Sequence, residues 1–389
     1  MYDEGKEINQ TFYFPTGSHK PPFVVNLCES KPAAMLRTIT PKYACLLFIT
    51  VLQTGALYAQ ITGGQQVFQF MTLSPSARIT ALGGTQISVK DDDVTFAAQN
   101  PAALNPSMSG RLAFNHNFFL SDIQHGYVAY AQDLPKIGFT MHAAVQYMNY
   151  GDIKQADEFG NITGDIHAAE TAVTIGAARP LTPRISIGLN ARAGFSVLDI
   201  YKASALAADA GLLYADTAKR LSVALVLRNV GAQLAAYDGV REDLPYDLQV
   251  GFSKQLRYLP FRFSVIAHHL QQWNLRYDDP NAQNDEVLLF GDETSKSNKG
   301  NGEIDNFFRH FIFNGEFLLG RNESFRLRVG YNHLRKRELS VRNYRSLAGF
   351  SGGVGIKVSR FRLDVGYGSY HLAGGIFHIG LGTNLKDFF

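Results

Sequence analysis

Hydrophobic and polar residues alternate one by one through much of the C-terminal half of the chain. In residues 324–333 one face of an extended chain would carry Phe325, Leu327, Val329 and Tyr331. The opposite face would carry Arg326, Arg328, Gly330 and Asn332. The same separation recurs in residues 361–368 and 375–386. Side chains of a β-strand alternate between two faces, whereas a helix would scatter each set around its circumference. The pattern therefore predicts amphipathic strands.

Similar stretches continue from residue 111 to the C-terminus and predict about fourteen strands. Their predicted bounds are 111–119, 124–133, 136–149, 166–180, 184–197, 205–216, 220–230, 244–256, 261–271, 306–319, 324–334, 350–359, 361–371 and 375–386. Alternate connections are tight, at 134–136, 182–184, 217–219, 258–260, 320–323 and 359–360. Those between them include long loops at 150–165, 232–243, 272–305 and 335–349. Tight turns at one end and long loops at the other are typical of outer-membrane barrels, whose short turns face the periplasm.

A water-soluble β-sandwich would also alternate, but its connections need not sort by end. Phe388 and Phe389 follow an amphipathic last strand and resemble the terminal signal of bacterial outer-membrane barrels. The predicted fold is all-β, a closed antiparallel transmembrane β-barrel of about 14 strands over residues 111–389. A short N-terminal periplasmic plug is predicted over residues 60–110. The expected location is the bacterial outer membrane, with both barrel termini in the periplasm.

Residues 63–104 break the strand pattern. Ser74 is a candidate helix cap, Pro75 suits a first helical position, and Gly83 suits a helix end. An acidic triplet and an Asn-Pro turn follow this short helix. The segment is therefore predicted to be a plug at one end of the barrel.

Residues 35–59 have the organisation of a secretory signal peptide. Arg37 and Lys42 precede an apolar run over residues 44–52, and small residues up to Ala59 suit cleavage. The run is shorter than the roughly 20 apolar residues of a transmembrane helix, and the alternative is a buried core helix. Residues 1–34 precede the signal, so we predict that they are a non-native upstream extension of the chain.

Composition agrees with a β-rich protein. The 389 residues are 46% hydrophobic and include 36 Gly, 28 Phe and 18 Tyr, which suit turns and pleated surfaces. The net charge of +3 is spread along the chain without a basic block, so no nucleic-acid partner is expected. Both cysteines, Cys28 and Cys45, precede the predicted mature chain, which would therefore form no disulfide and no thiolate metal site.

The polar faces of several late strands carry charges. Glu316, Arg326, Arg328, Arg362 and Asp364 are predicted to face the lumen and to form an ionic network. Such a network either lines a polar conduit or fills the interior and holds the plug. Filling is favoured because buried charges are normally paired.

No catalytic residue, cofactor or metal site is predicted, and the chain is not expected to be an enzyme. Residues 349–353 match a nucleophile-elbow pattern, but Ser351 enters a strand where that motif needs a strand-to-helix turn. His268 and His269 are adjacent on a predicted strand, where they would point to opposite faces and would not share one metal ion. The acidic stretch 278–305 lacks the spacing of a calcium loop and reads as a solvated exterior loop.

A basic loop follows the strand at 324–334. Its cations are Arg335, Lys336, Arg337, Arg342 and Arg345. With long loops outside the cell, these residues would face lipopolysaccharide phosphates or a protein partner, since arginine binds phosphate with two hydrogen bonds. A generic surface charge is the other interpretation. The long loops 272–305 and 335–349 are the predicted partner contacts.

The plug segment resembles a known family. The motif consists of Gly63-Gly64, Ser76-Ala77-Arg78, Gly83-Gly84, the triplet Asp91, Asp92 and Asp93, and Asn100-Pro101. Downstream, Leu227-Arg228-Asn229-Val230-Gly231 and Leu244-Pro245-Tyr246 continue the likeness. Together they resemble the PorV and PorQ outer-membrane proteins of the type IX secretion system, with PorQ the closer pattern, over most of the chain after Gly63.

The resemblance implies a barrel related to the fourteen-stranded FadL-type proteins, in a member of the Bacteroidetes. It also implies a non-catalytic role beside PorU, PorV and PorZ in the attachment complex, where a sortase processes cargo and links it to lipopolysaccharide. PorQ-type proteins are thought to hold PorZ at the outer surface. The alternative from another class is a FadL-like channel for hydrophobic small molecules, against which the charged lumen strands argue.

Overall fold

A computed structural model describes residues 66–119, 122–276, 299–320, 323–339, 347–371 and 374–388. The predicted extension 1–34 and signal peptide 35–59 lie outside these residues. Outside them also lie Gly63, Gly64, Arg342 and Arg345.

The described chain is dominated by strands. In chain order they are β1 (Arg111–Phe118), β2 (Gln124–Leu134), β3 (Phe139–Asn149), β4 (Ile153–Ala156), β5 (Ile162–Ile166), β6 (Ala168–Pro180), β7 (Ile185–Leu198), β8 (Tyr201–Asp216), β9 (Leu221–Ala235), β10 (Asp247–Gln255), β11 (Phe261–Ala267), β12 (Phe311–Leu319), β13 (Phe325–Asn332), β14 (Phe350–Val358), β15 (Phe361–His371) and β16 (Gly374–Asn384). All except β4 and β5 form one closed antiparallel barrel of 14 strands, in which β1 also pairs with β16. The predicted fold class and strand number are confirmed.

Apolar side chains point out of the barrel and polar ones point in, as the alternation predicted. On β13 the exposed fractions are 40% for Leu327 and 53% for Val329, but 1% for Arg328 between them. The same alternation holds on β15, where Leu363 is 46% exposed and Asp364 is 8% exposed. An apolar exterior around a polar interior is the arrangement of transmembrane barrels.

The connections differ between the two ends of the barrel. One end, here the tight-turn end, has only short connections, at 135–138, 181–184, 217–220, 256–260, 320–324 and 359–360. The opposite end, here the loop end, has the long connections 150–167, 236–246, 268–310 and 333–349 together with shorter ones. The β4 and β5 hairpin belongs to the first of these long connections. The start of β1 and the end of β16 meet at the tight-turn end, where Leu385 N–H donates to Gly110 O at 2.8 Å.

The described residues form three α-helices: α1 (Ala77–Ala81) before the first strand, and α2 (Lys299–Arg309) and α3 (His333–Glu338) between strands. Because α2 occupies residues predicted to start a strand at 306, β12 begins only at Phe311. Ile304, Phe307 and Phe308 have the spacing of one helix face, which the strand prediction missed. No helix among the described residues is long and apolar enough to cross a membrane.

The helix cap of α1 corrects a detail of the prediction. The Oγ of Ser76, not of Ser74, accepts the hydrogen bond from Ile79 N–H, at 3.3 Å. Ser74 lies further upstream and donates to the Ser76 carbonyl at 3.1 Å. Gly83 and Gly84 end the helix with φ of +92° and +93°, which favours glycine.

The plug, residues 66–110, lies inside the barrel and supplies much of its core. Ile79, Ile87 and Phe96 from the plug pack in one buried cluster with Leu213, Val226, Ile266 and Ile312 from the wall. The described start of the plug is at the loop end, where Val67 N–H donates to Asp243 O at 3.1 Å. The plug thus extends from the loop end to the tight-turn end, beyond the single end at which it was predicted.

The wall approaches the plug so closely that some inward positions have no room for a side chain. A methyl group on Gly366 of β15 would lie 3.0 Å from the Ala77 carbonyl carbon and would overlap its oxygen. A methyl group on Gly188 of β7 would lie 2.6 Å from the Ala102 nitrogen. Both neighbours are backbone atoms of the plug, which cannot rotate away. The fit between plug and wall is therefore fixed by glycines as well as by larger side chains.

We expect Gly366→Ala to reduce the free energy of unfolding by about 1–3 kcal/mol, because overpacking forces backbone shifts. The matched control is Gly382→Ala on β16, where the nearest atom to the new methyl group is Arg362 Cβ at 4.0 Å. Guanidinium chloride unfolding of the purified barrel in detergent measures both. Equal losses in the two variants would contradict the close approach.

Candidate functional site

A buried arginine of the plug lies at the centre of the interior charges. Arg78 on α1 is 1% exposed. Its guanidinium donates to Asp91 at 2.7 Å and to Asp93 at 3.1 Å, both in the plug. It also contacts Glu316 of β12 through two hydrogen bonds of 3.0 Å. Two donors on one carboxylate fix the orientation of α1 against the wall.

Glu316 extends the network along the wall. Arg328 of β13 donates to it at 2.8 Å, and Arg262 of β11 pairs with it as well. Arg328 also binds Asp364 of β15 at 2.5 Å. Asp92 forms an ion pair with Arg362 at 3.1 Å and another with Arg111. The predicted network of Glu316, Arg326, Arg328, Arg362 and Asp364 is confirmed, and the plug takes part in it.

Charges in this network balance. The described residues contribute six arginines within 4.0 Å of six carboxylates. The arginines are Arg78, Arg111, Arg262, Arg326, Arg328 and Arg362, and the acids are Asp91, Asp92, Asp93, Glu316, Glu323 and Asp364. Burial would raise the pKa of Asp91, but the guanidinium groups of Arg78, Arg326 and Arg262 hold it well below its usual value. Asp91 therefore stays ionised at neutral pH, and its ion pairs connect the plug to the wall.

Sequence reasoning missed three members of this network outside the plug, and it did not place Arg78 or the acidic triplet of the plug in the network. Arg262 lies between Phe261 and Phe263 on the inward face of β11, so the alternation on that short strand was a usable signal. Glu323 lies in the turn before β13, where the face of a side chain does not follow from strand period, and Arg111 is the first residue of β1. The acidic triplet was interpreted as turn chemistry, and only the structure shows that it binds arginines.

The Asn-Pro turn of the plug makes local hydrogen bonds. The Oδ1 of Asn100 accepts from Ala102 N–H at 2.9 Å, and its amide donates to Ile87 O at 2.7 Å. Pro101 begins a short 3₁₀-helix, Pro101–Ala103. Ser351 of the elbow-like motif lies on β14 and donates to Ala81 O at 3.0 Å. Asn100 thus stabilises the plug internally, and Ser351 binds the plug to the wall.

The basic loop at the loop end is directed differently from the prediction. The Arg335 guanidinium carbon lies 3.9 Å from the ring centroid of Tyr370, and the group covers Gly84 of the plug. Arg335 therefore faces the plug and not the exterior. Arg337 is exposed but pairs with Asp305 of α2. Among the described cations of that loop, Arg337 is the most exposed.

Asp305 joins α2 to α3 at the loop end. It accepts from Arg309 at 3.0 Å and lies 3.1 Å from His333 Nε2, in addition to pairing with Arg337. Burial would raise the pKa of Asp305, but hydrogen bonds from His333, Arg309 and Arg337 hold it below its usual value. The ionised carboxylate is thus the form that connects the two helices.

The structure corrects the reasoning that separated His268 from His269. β11 ends at Ala267, so the pair lies beyond the strand. His269 has φ of +54°, which turns its ring to the side of His268. The two rings and the carboxylate of Asp247 lie together, with their ligand atoms within 4.8 Å of one another.

Comparison with known proteins gives limited matches. Residues 52–234 match the uncharacterised protein family UPF0164. Comparison with curated proteins finds no match.

Several solved barrel structures are similar to this chain. The toluene transporter TodX of Pseudomonas putida has a TM-score of 0.47 and 11% identity, over 80% of this chain and 96% of that one. A Pseudomonas aeruginosa FadL homologue has a TM-score of 0.45 and 10% identity, over 80% and 98%. The KdgM porin has a TM-score of 0.29 and 8% identity, over 70% and 98%. The barrel assignment rests on the strand pairing of this chain itself.

Glu316→Gln should reduce the free energy of unfolding by about 3–5 kcal/mol, because buried arginines lose their shared counterion. The control is Glu323→Gln, whose side chain is 41% exposed and pairs with Arg326, and for which we expect about 0–1 kcal/mol. Urea unfolding monitored by tyrosine and tryptophan fluorescence distinguishes them. A loss for Glu323→Gln as large as that for Glu316→Gln would show that this network is not held by burial.

Protonation of Asp305 should release α2 from α3. Its folded pKa is depressed, so the contact contributes stability above the unfolded pKa of about 3.9 and loses it as pH falls through the folded pKa. Asp305→Asn should imitate this at neutral pH and increase hydrogen exchange in α2. The control, Asp165→Asn, removes an exposed ion pair with Lys154 in the β4 and β5 hairpin. Unchanged exchange in α2 of Asp305→Asn would refute the role of Asp305.

Proposed function

We propose that this chain is an outer-membrane barrel protein that acts as a non-catalytic surface anchor. The outer-membrane location is supported by a closed wall with apolar side chains outside, since lipid offers no hydrogen-bond partners to an open edge. The separation of short and long connections supports an orientation with the loop end outside the cell. In that orientation Gly110 and Leu385 are periplasmic.

The observation that carries the anchor role is the way the plug is fixed in the lumen. Arg78 bonds the plug to Glu316 of the wall, and Asp92 bonds it to Arg111 and Arg362. Close backbone contacts at Gly188 and Gly366 leave no sliding space there. A conduit through the barrel would require breaking buried ion pairs, each at a cost of several kcal/mol. The structure therefore favours a closed barrel that presents its loops.

We propose further that the anchor belongs to the attachment complex of the type IX secretion system, with homologues of PorZ, PorU and PorV as partners. The support is the resemblance of the plug motif, from Ser76-Ala77-Arg78 to Asn100-Pro101, to the PorV and PorQ proteins. Partners outside the cell would meet the loop end, where α2, α3 and the β4 and β5 hairpin lie. Lipopolysaccharide would meet the exposed Arg337 from the surrounding leaflet.

A FadL-like channel for hydrophobic small molecules is the alternative. It requires the plug to move or a path to open beside it. A cavity of about 40 Å³ lies between plug and wall, lined by Arg78, Asp92, Arg111 and Arg362 among others. That space is polar and far smaller than the roughly 300–1,000 Å³ of typical ligand pockets. This cavity gives no support to passage of an apolar solute.

Two experiments on the intact protein separate these functions. The first purifies a chromosomally tagged chain after mild cross-linking and identifies partners by mass spectrometry. We expect PorZ and PorU homologues in stoichiometric amounts, and their absence would refute the anchor. The second measures uptake of a hydrophobic solute and surface attachment of cargo in a deletion strain. Loss of cargo attachment with normal uptake supports the anchor, whereas loss of uptake alone supports the channel.

A further inference from the structure

Three metal-ligating side chains meet inside the mouth of the barrel at the loop end. Asp247 is the first residue of β10, and His268 and His269 directly follow β11. The nearest ligand atoms of the three residues all lie within 4.8 Å of one another. The two imidazole Nδ1 atoms are 2.5 Å apart, and the carboxylate Oδ2 is 3.9 Å from His269 Nδ1.

The backbone brings both histidines to one side. His268 N–H donates to His310 O at 2.9 Å, which continues the pairing between the ends of β11 and β12. The next residue, His269, adopts φ of +54°, and its N–H donates to Asp247 Oδ1 at 2.6 Å. A left-handed conformation at a residue other than glycine persists only when its surroundings enforce it, and such residues cluster at functional sites.

We propose that Asp247, His268 and His269 form a binding site for a divalent transition-metal ion of the zinc class. Two imidazole nitrogens and one carboxylate oxygen are the donor set of many zinc sites that keep a fourth position for water. The donor set also suits cobalt and nickel, whereas magnesium and calcium prefer oxygen ligands.

All three side chains must adjust to accept the ion. The two Nδ1 atoms, 2.5 Å apart, are too close together to bind one ion, and Asp247 Oδ2, 3.9 Å from His269 Nδ1, is too far away. Zinc ligands at about 2.0–2.1 Å in a tetrahedral site lie roughly 3.3 Å apart. Rotation of the two imidazole rings that moves each Nδ1 atom by less than about 1 Å increases the spacing from the present 2.5 Å to this value. The exposed His269, with 38% of its side chain accessible, gives the ion a path from outside.

Neighbouring groups distinguish the ligands from other residues nearby. Gln249 donates to Asp247 Oδ2 at 2.6 Å and orients the carboxylate, as outer partners of metal ligands commonly do. The ring of His310 faces two carbonyl oxygens, of His268 at 2.9 Å and of Trp273 at 3.1 Å, so its nitrogens are turned from the site. The Nε2 of His268 is buried and has no hydrogen-bond partner among the described residues.

A metal ion here would connect two long connections at the mouth. Asp247 follows the 236–246 connection, and the histidines begin the 268–310 connection that contains α2. An ion bound to both would hold these two connections together at the mouth of the barrel. Under the proposed function, the surface that a partner meets would then depend on the metal supply outside the cell.

The test uses the intact barrel, purified in detergent with its affinity tag removed and stripped with EDTA, which is then dialysed away. Titration with Co²⁺ should give the visible absorption of a tetrahedral site at one equivalent, and added Zn²⁺ should abolish it. His268→Gln, His269→Gln and Asp247→Asn should each weaken Co²⁺ binding by more than about 100-fold, since outer partners alone typically cost 10–100-fold.

The controls are His310→Gln, beside the site, and His167→Gln, an exposed histidine in another connection at the same end. Both should bind Co²⁺ as the wild-type chain does. Heat-modifiable migration on a gel checks that each variant is folded. If His268→Gln does not fold, His269→Gln, at a partly exposed position, still tests the site. The absence of a tetrahedral Co²⁺ spectrum in the wild-type chain would overturn the proposal. Wild-type affinity in folded His269→Gln and Asp247→Asn would overturn it equally.

Discussion

The need to pair the buried guanidinium of Arg78 determines how plug and wall fit together. A cation that is 1% exposed is stable only beside anions. The plug turns back on itself to supply Asp91 and Asp93, and the wall supplies Glu316. Because Glu316 also binds Arg262 and Arg328, the pairing of one plug residue reaches three adjacent strands. The alternation of the wall then puts apolar side chains outside wherever a charge faces inward.

The two ends of the lumen are held by different chemistry. Near the tight-turn end, ion pairs connect plug and wall. At the loop end, histidines, amides and aromatic rings prevail. Buried atoms without a hydrogen-bond partner among the described residues occur at both ends, for example Arg326 Nε near the tight-turn end and His268 Nε2 at the loop end. Unpaired buried polar atoms mark places where a water, an ion or a changed side chain completes the structure.

The number of strands, the inward or outward direction of their side chains and the charged residues in the lumen could be predicted from the sequence. The pleat of a strand imposes the two-residue period directly. Details that depend on departures from the strand did not follow. The left-handed turn at His269 reverses a side chain that the alternation placed outside. Arg335 turns inward because a ring, Tyr370, and an open position, Gly84, lie below it. The plug route and the partners of Asp91 required tertiary contacts that no local pattern encodes.

The distance along the chain between plug and partner has a consequence for biogenesis. Arg78 and Glu316 are separated by 238 residues. Arg78 is therefore synthesised long before the strand that supplies its counterion in the wall. Contacts between such distant residues form slowly, because a large loop must close first. We expect the β1 and β16 seam to close around an already inserted plug, so that insertion, neutralisation and closure form one cooperative event late in assembly.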